Sequence, residues 1–332
     1  MAQVDLRSKG RLVAADRGFS GLTLGAGILV LAILALILVT TLKEAWPALR
    51  LAGLDFVFSR AWVPLELNGQ PPQYGALAFI FGTVATSLIA LVFAVPVSIG
   101  IALFLTELAP VRIRALVISV IDLLAAVPSV VFGLWGIVVV GPFLVGIYGW
   151  LHDRFRGVPV LRAVFGEPHG RSFMTAGVIV AIMIIPIITA ISRDVLNNVP
   201  RAQVEGTTAL GATWWESSKE MLKFSRSGLF GAVMLGLARA AGETMAITMV
   251  IGNNPRISAS LFAPQYTMAA VIANEFTEAA DELYLSALVE IGLVLFIITL
   301  IVNSLSRLLI WSMTRTASVP VAADENAAPA AA

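Results

Sequence analysis

Two charged residues, Arg239 and Glu243, lie inside an apolar stretch that is long enough to cross a bilayer, residues 228–252. A charge at the middle of a membrane costs about 2.5–3.5 kcal/mol on insertion scales, so such residues face a bundle interior or a water-filled path and not lipid. Residues four positions apart lie on one face of a helix. The sequence therefore predicts that Arg239 and Glu243 are neighbours in the interior of a membrane protein.

Two roles are open to this pair. In the first, the planar guanidinium of Arg239 binds a passing anion through paired hydrogen bonds, and Glu243 neutralises it when no anion is present. In the second, the two residues form a structural ion pair that locks helices together. Charged residues within a membrane are functional by default, so we favour the first role, a substrate pathway for an anion.

The composition indicates an integral membrane protein. Of its 332 residues, 58% are hydrophobic and only 13% are charged, against about 25% charged in a soluble domain. There is no cysteine, which excludes disulfides and thiolate metal sites. Both histidines, His152 and His169, fall in one polar stretch, so no histidine metal centre is expected within the membrane. We expect no metal, no cofactor and no nucleic-acid partner.

Apolar runs predict an all-α integral membrane protein. A helix needs about 20 apolar residues to cross the hydrocarbon core. Three of the runs contain an internal proline, Pro96, Pro128 or Pro186, where we expect a kink or a break. The six segments that qualify are 19–42, 74–106, 115–140, 173–192, 228–252 and 284–312.

Lys and Arg are more frequent in the segments that lie on the same side of the membrane as the amino terminus than in the segments on the opposite side. The positive-inside rule then predicts that both termini are cytoplasmic. The resulting organisation has a transmembrane domain at 19–315 between two tails, of which the second is alanine-rich and predicted to be disordered. The remaining expected segments are a cytoplasmic tail at 1–18, an external loop at 141–172, a cytoplasmic loop at 193–227 and the carboxy-terminal tail at 316–332.

The cytoplasmic loop 193–227 is predicted to hold two short helices. Pro200 suits the start of the first, and Gly211 suits its end. Thr213 and Glu216 have the spacing of a capping box at the start of the second. Such a pair of helices could receive force from a partner protein, or it could be an ordinary amphipathic loop at the membrane surface.

The first of these helices resembles a known motif. The run Glu205-Gly-Thr-Thr-Ala-Leu-Gly-Ala212 is similar to the Glu-Ala-Ala…Gly loop of bacterial ABC import permeases, with Gly206 and Thr207 in place of the two alanines. The resemblance implies a type I ABC importer permease fold with six transmembrane helices, and a loop that docks on an ATPase. The residues that it assigns to this coupling loop are Glu205, Gly206, Thr207, Leu210, Gly211 and Ala212.

Further segments resemble the PstC-type permeases of phosphate-specific bacterial ABC importers. The matching runs are Leu123–Gly136, Gly236–Ala246, Ile272–Ala279 and Leu288–Phe296. The resemblance implies a transport subunit for inorganic phosphate in the bacterial inner membrane, with Arg239 and Glu243 in the substrate pathway. It also implies a second, similar permease (PstA-type), two ATPase subunits (PstB-type) and an external phosphate-binding protein (PstS-type).

Other functions are less consistent with the sequence. A permease for sulfate, molybdate or an organic anion is the nearest alternative, and the Arg239–Glu243 pair with the Asn274-Glu-Phe segment favours phosphate. An intramembrane enzyme would need paired Asp residues, a Ser/His pair or a His-Glu-x2-His site within helices, and none is present. The chain is not expected to be an enzyme, and without a Gly-x4-Gly-Lys-Ser/Thr motif it cannot be the ATPase. A passive channel would not need the ATPase-docking loop that the resemblance implies.

Overall fold

The structure is a computed structural model that describes residues 6–64, 66 and 71–315. Within these residues the secondary structure is helical apart from two isolated β-bridges. The helices are α1 (Leu6–Ala52), α2 (Asp55–Phe58), α3 (Leu77–Leu103), α4 (Val111–Ala126), α5 (Ser129–Trp135), α6 (Gly141–Phe155), α7 (Pro159–Val164), α8 (Phe173–Asn197), α9 (Arg201–Ala209), α10 (Trp214–Phe224), α11 (Arg226–Gly242), α12 (Met245–Val250), α13 (Met268–Glu275) and α14 (Glu282–Arg315), with π-helical turns at Phe104–Leu108 and Gly136–Val140.

The core of the bundle is built on α3 and α8, which pack along each other. Both helices are apolar, and small residues bring their backbones together. A Cβ added at Gly177 of α8 would overlap the side chain of Ile89 on α3. Ser98 of α3 donates a hydrogen bond to the carbonyl of Ile185 on α8 at 3.2 Å. Close packing of small residues and interhelical hydrogen bonds are what hold helices together in lipid, so this pair forms the scaffold for the rest.

Five helical segments within the described residues are long and apolar enough to cross a membrane, so the chain is a multi-pass membrane protein. The fifth predicted segment, 228–252, is instead divided into α11 and α12, which are 17 and 6 residues long. The all-helical membrane fold is confirmed, whereas a count of six continuous spanning helices is not. The five spans are Asp16–Ala52, Leu77–Leu108, Ser129–Phe155, Phe173–Asn197 and Glu282–Ser312.

The third predicted span, 115–140, was wrong in position. The chain breaks at Val127 and Pro128, and the long apolar helical segment begins only at Ser129 and continues to Phe155. The break follows from Pro128, because a proline forces the residue before it out of the helical region. Val127 is accordingly extended, with ψ 128°.

Much of the segment 141–172, which was expected to be an external loop, is helical. α6 continues the third span from Gly141 to Phe155, and the short helix α7 follows after a turn. The helix extends into this segment because apolar residues continue well beyond position 140, and the first charged residue is Asp153. Only the connections around α7 remain as loop.

The first helix extends into the predicted amino-terminal tail. α1 begins at Leu6, so residues 6–18 belong to the same helix as the first span. It is attached to the bundle near its end, where Ser286 of α14 donates to the carbonyl of Glu44 at 2.8 Å and accepts from the N–H of Ala48 at 3.1 Å. Residues 1–5 and the predicted disordered tail 316–332 lie outside the described residues.

Candidate functional site

The helix break between α11 and α12 places the charged pair. α11 ends at Gly242, and Glu243 is extended with φ −69° and ψ 125°. A break in a membrane helix exposes backbone groups that need new partners. Glu243 supplies one, because its Oε1 accepts a hydrogen bond from the N–H of Ala246 at 3.4 Å. The carboxylate therefore caps the first turn of α12 in addition to any role toward Arg239.

The predicted contact between the two charges is present. Nη2 of Arg239 lies 3.8 Å from Oε2 of Glu243. This distance is at the long end for an ion pair and is too long for a hydrogen bond. The ion pair is the only polar contact of the Arg239 side chain within the part of the chain that the structure describes. Most of the guanidinium N–H groups are thus free to bind another group.

The side chains of Arg239 and Glu243 differ in how far they are exposed. The Glu243 side chain is only 7% exposed, whereas that of Arg239 is 48% exposed. Leu235 and Met245, on either side of Arg239 along α11 and α12, are also about half exposed, at 50% and 55%. A half-exposed arginine at this depth does not face lipid. The uncovered face is therefore a candidate for a water-filled path or for contact with another subunit.

The predicted pair of short helices is also present, as α9 and α10. Pro200 precedes the first residue of α9, and Gly211 follows its end with φ +86°, a conformation that favours glycine. The Thr213 hydroxyl accepts from the N–H of Glu216 at 3.4 Å, and Glu216 Oε2 accepts from the N–H of Thr213 at 2.8 Å. The predicted capping box is confirmed. The backbone and hydroxyl hydrogen bonds from Thr213 lower the pKa of the Glu216 carboxyl.

The residues assigned to the coupling loop occupy one end of α9 and the turn after it. Leu210 projects from the turn and is 91% exposed, and Glu205 and Gly206 are also exposed. Thr207 ties the two helices together, because its hydroxyl lies 3.0 Å from that of Ser217 and its carbonyl accepts from the N–H of Ala212. The turn is therefore braced from within and presents an uncovered leucine.

The short helices are joined to the membrane bundle. Met221 of α10 is buried with the ends of the long helices, in a cluster that also contains Leu103 of α3, Leu196 of α8 and Leu229 of α11. A movement of α9 and α10 would therefore displace the ends of α3, α8 and α11. This arrangement suits a segment that transmits force.

Sequence reasoning missed part of the site. Thr244 and Thr248 follow the helix break and Asn253 lies in the turn after α12, and these side chains were not singled out. Their spacing, one turn apart after a charged pair, was a signal that could have been used. Glu290 of α14 is 2% exposed, and its Oε2 has no hydrogen-bond partner in the described chain. From the sequence, a cap or ion pair within the bundle and a contact with substrate were equally open for that residue.

The chain resembles known transport proteins along most of its length. A family model described as a binding-protein-dependent transport system inner membrane component matches residues 94–315. A protein named phosphate transport system permease protein PstC from Mesorhizobium japonicum is 44% identical over 90% of this chain and 90% of its own length. The protein of that name from Haemophilus influenzae is 45% identical over 87% and 91%. A probable phosphate permease from Methanocaldococcus jannaschii is 35% identical over 86% and 90%.

A solved structure shares the fold. A chain of the MetNI methionine ABC transporter, in an inward-facing conformation, superposes with a TM-score of 0.51 over 73% of this chain and 95% of that chain. The sequences are 16% identical, so this similarity concerns the fold alone. The helical arrangement described above is thus that of an ABC importer permease.

Proposed function

The chain belongs to the family of inner membrane components of binding-protein-dependent transport systems, and from this premise we propose that it is the transmembrane subunit of an ATP-driven importer of inorganic phosphate. The relatives named for phosphate transport favour phosphate over sulfate or molybdate as its substrate. The chain is a transport component and not an enzyme.

The exposure and position of Arg239 are the observation that supports this proposal. Arg239 is half exposed on an uncovered face, beside a break in its helix, with most of its N–H groups unused. Transporters place substrate sites near the bilayer midplane at interrupted helices, since the break leaves groups available to a ligand. A planar guanidinium matches the oxygens of phosphate in bidentate fashion.

Glu243 limits how tightly Arg239 binds an anion. In the absence of an anion, the buried carboxylate lies 3.8 Å from Arg239 and reduces the cost of holding a positive charge in the membrane. An incoming phosphate competes with Glu243 for the same guanidinium. This competition keeps binding weak enough for the anion to leave, which a transport pathway requires.

The remaining parts of the importer come from partners. We propose that the uncovered face around Arg239 meets a second, similar permease (PstA-type), and that the turn around Leu210 and Gly211 docks on one of two ATPase subunits (PstB-type). An external phosphate-binding protein (PstS-type) would deliver the anion. The complex would lie in the bacterial inner membrane, with both termini of this chain in the cytoplasm.

The test is a set of charge variants, measured for phosphate uptake in proteoliposomes and for thermal stability of the purified complex. Arg239→Gln should reduce uptake at least about 100-fold while the complex still assembles, because the anion loses its charged partner. Arg239→Lys should also fail substantially, since a point charge cannot reproduce the guanidinium fork. Glu243→Gln should affect release more than binding.

A structural role for the ion pair predicts a different pattern. Each single neutral variant would then destabilise the complex, and the double variant Arg239→Gln with Glu243→Gln would recover both stability and uptake. Phosphate uptake by that double variant would contradict a substrate role for Arg239. The pair of half-buried Arg193 and exposed Asp194, with Nη2 and Oδ1 3.0 Å apart, is a suitable control for simple loss of an ion pair.

A further inference from the structure

A cavity of about 380 Å³ lies between α9 and the junction of α3 with α4. Part of its wall is apolar and includes Leu196 of α8 and Met221 of α10, which are both buried. Opposite charges line it from two separate elements, since Glu107 comes from the π-helical turn that follows α3 and Arg201 comes from the first turn of α9. The cavity therefore brings an acid of the membrane bundle and a base of the short helix α9 to one space.

Neither of these two charges has a partner. Glu107 and Arg201 are exposed, and in the part of the chain that the structure describes their side chains form no ion pair and no hydrogen bond. Arg201 does not pair even with Glu205, an acid of the same cavity that lies four residues further along α9. The other base of the cavity is already engaged, because Nη2 of Arg114 donates to the carbonyls of Thr106 at 3.2 Å and Ala109 at 3.4 Å. In this cavity, Arg201 is therefore the base that remains available to Glu107.

Both charges lie at the end of their own helix that disfavours them. A helix carries partial positive charge at its amino terminus and partial negative charge at its carboxyl terminus. Arg201 is the first residue of α9, which has no acidic residue in its first turn. Glu107 lies in the last turn of the helical run that begins with α3. Each charge is therefore mismatched with its own helix, and it would be compensated by the end of the other helix and by the charge that this end carries.

We propose that Glu107 and Arg201 are positioning residues that form an ion pair when ATP binding moves α9 toward the end of α3. Closing the cavity over its apolar wall removes water from around the two charges, which strengthens their attraction. The pair would prevent α9 from turning about its short connection to α8, residues 198–200. The coupling loop would then move the packed helices α3 and α8 as one rigid body. The inference rests on the proposed function, because it requires an ATPase that acts on α9.

Charge reversal in the purified importer complex tests this pair, with phosphate uptake in proteoliposomes as the measurement. Glu107→Arg and Arg201→Glu should each reduce uptake about fivefold or more, because like charges then meet across the closing cavity. The helix ends alone predict no such loss, since each reversal gives its own helix the favourable charge. The double variant Glu107→Arg with Arg201→Glu should restore uptake to within about twofold of the wild type. The control is Arg112→Glu, which should stay within about twofold, because Arg112 is exposed in the first turn of α4 and does not line the cavity.

Crosslinking of engineered cysteines tests whether the cavity closes. The chain has no cysteine, so Glu107→Cys with Arg201→Cys introduces a single pair of thiols into it. In the complex trapped with ATP, vanadate and the phosphate-loaded binding protein, a short thiol-specific crosslinker should join this pair at least about tenfold faster than in the nucleotide-free complex, because closure raises the effective concentration of the two thiols. The control pair is Glu107→Cys with Glu220→Cys, since Glu220 is exposed on α10 and does not line this cavity. Its crosslinking rate should differ by less than about twofold between the two states.

The outcomes separate this inference from the proposed function. Single reversals that transport normally, a double variant no more active than they are, or crosslinking that is no faster with nucleotide would each overturn the ion pair. Co-purification of the ATPase should be unchanged in the single reversals, and if a reversal prevents assembly the crosslinking rates decide. If the wild-type complex contains no ATPase, or does not hydrolyse ATP in response to the phosphate-loaded binding protein, the proposed function fails and the ion pair fails with it. If the wild type couples hydrolysis to uptake while the double variant does not recover, only the inference about Glu107 and Arg201 fails.

Discussion

Two stretches of similar length differ in whether they form a continuous helix. α8 runs for 25 residues without interruption, although it contains Pro186, and it buries most of its length against α3 and α11. The stretch 226–250 contains no proline and yet breaks at Glu243 and Thr244 into two helices. α11 buries only a narrow stripe of small and apolar residues, and leaves Arg239 on the uncovered side.

The difference indicates that burial decides continuity here more than residue type does. Where neighbouring helices surround a proline, packing compensates for its missing hydrogen bond. Where one face is uncovered, a carboxylate can replace a helical hydrogen bond, as Glu243 does for the N–H of Ala246. We infer that α8 is the fixed part of the bundle, and that α11–α12 is the part that meets the substrate.

Substituting one glycine in each of the two stretches is expected to give the largest effects. A Cβ at Gly177 of α8 would overlap Ile89, whereas one at Gly242 of α11 would have no atom within 4 Å apart from its chain neighbours and the backbone of its own helix. Gly177→Leu should therefore lower the stability of the complex by about 1–3 kcal/mol or more through overpacking. Gly242→Leu should leave stability within about 0.5 kcal/mol and reduce phosphate uptake at least about tenfold, because it crowds the face that carries Arg239.

Thermal unfolding of the purified complex and uptake in proteoliposomes distinguish these effects. The contrast fails if Gly242→Leu is as destabilising as Gly177→Leu, or if it transports phosphate normally. Gly146→Leu on α6 serves as a control, since its Cβ would also meet no atom within 4 Å and it lies outside α11–α12.

A smaller effect is expected where the two stretches are joined. α9 and α10 connect the end of α8 to the start of α11, so force applied at their turn reaches both. Leu210→Arg and Gly211→Arg should leave the chain folded in the membrane but weaken its assembly with the ATPase or uncouple hydrolysis from uptake. Gly211→Arg adds strain of roughly 1 kcal/mol, since φ at this position is positive.

Co-purification of the ATPase, together with hydrolysis and uptake rates, measures this coupling. Gly157→Arg, in the turn between α6 and α7, is the matched control because its Cβ would likewise have open space. Normal uptake and normal hydrolysis in both turn variants would show that α9 and α10 are only a surface loop.

The same two stretches show which structural features could be predicted from the sequence. Apolar runs located most of the membrane helices, and the spacing of Thr213 and Glu216 predicted a capping box that is present. The contact between Arg239 and Glu243 was likewise predictable, because it follows from a spacing of four residues. These features depend on neighbours in the sequence.

The features that were missed depend on neighbours in space. Three prolines looked alike in the sequence, but only Pro128 marks a break, while Pro96 and Pro186 lie inside continuous helices. The break at Glu243 was missed because hydropathy does not show which side chain will cap a freed N–H group. The hydrogen bonds that Thr244, Thr248 and Asn253 donate to backbone carbonyls around α12 could likewise be identified only once that break was known.

The smallest expected effect concerns Pro186. If α8 is a fixed scaffold, its proline has no hinge function, and Pro186→Ala should restore a helical N–H group without changing the path of the helix. We expect a change in stability within about 1 kcal/mol and uptake within about twofold of the wild type. Pro96→Ala in α3 should behave in the same way, because that proline also lies within a continuous helix of the packed pair. Uptake that is lost in Pro186→Ala while the complex remains stable and assembled would mean that α8 bends during transport, and the division between a fixed α8 and a responsive α11–α12 would have to be abandoned.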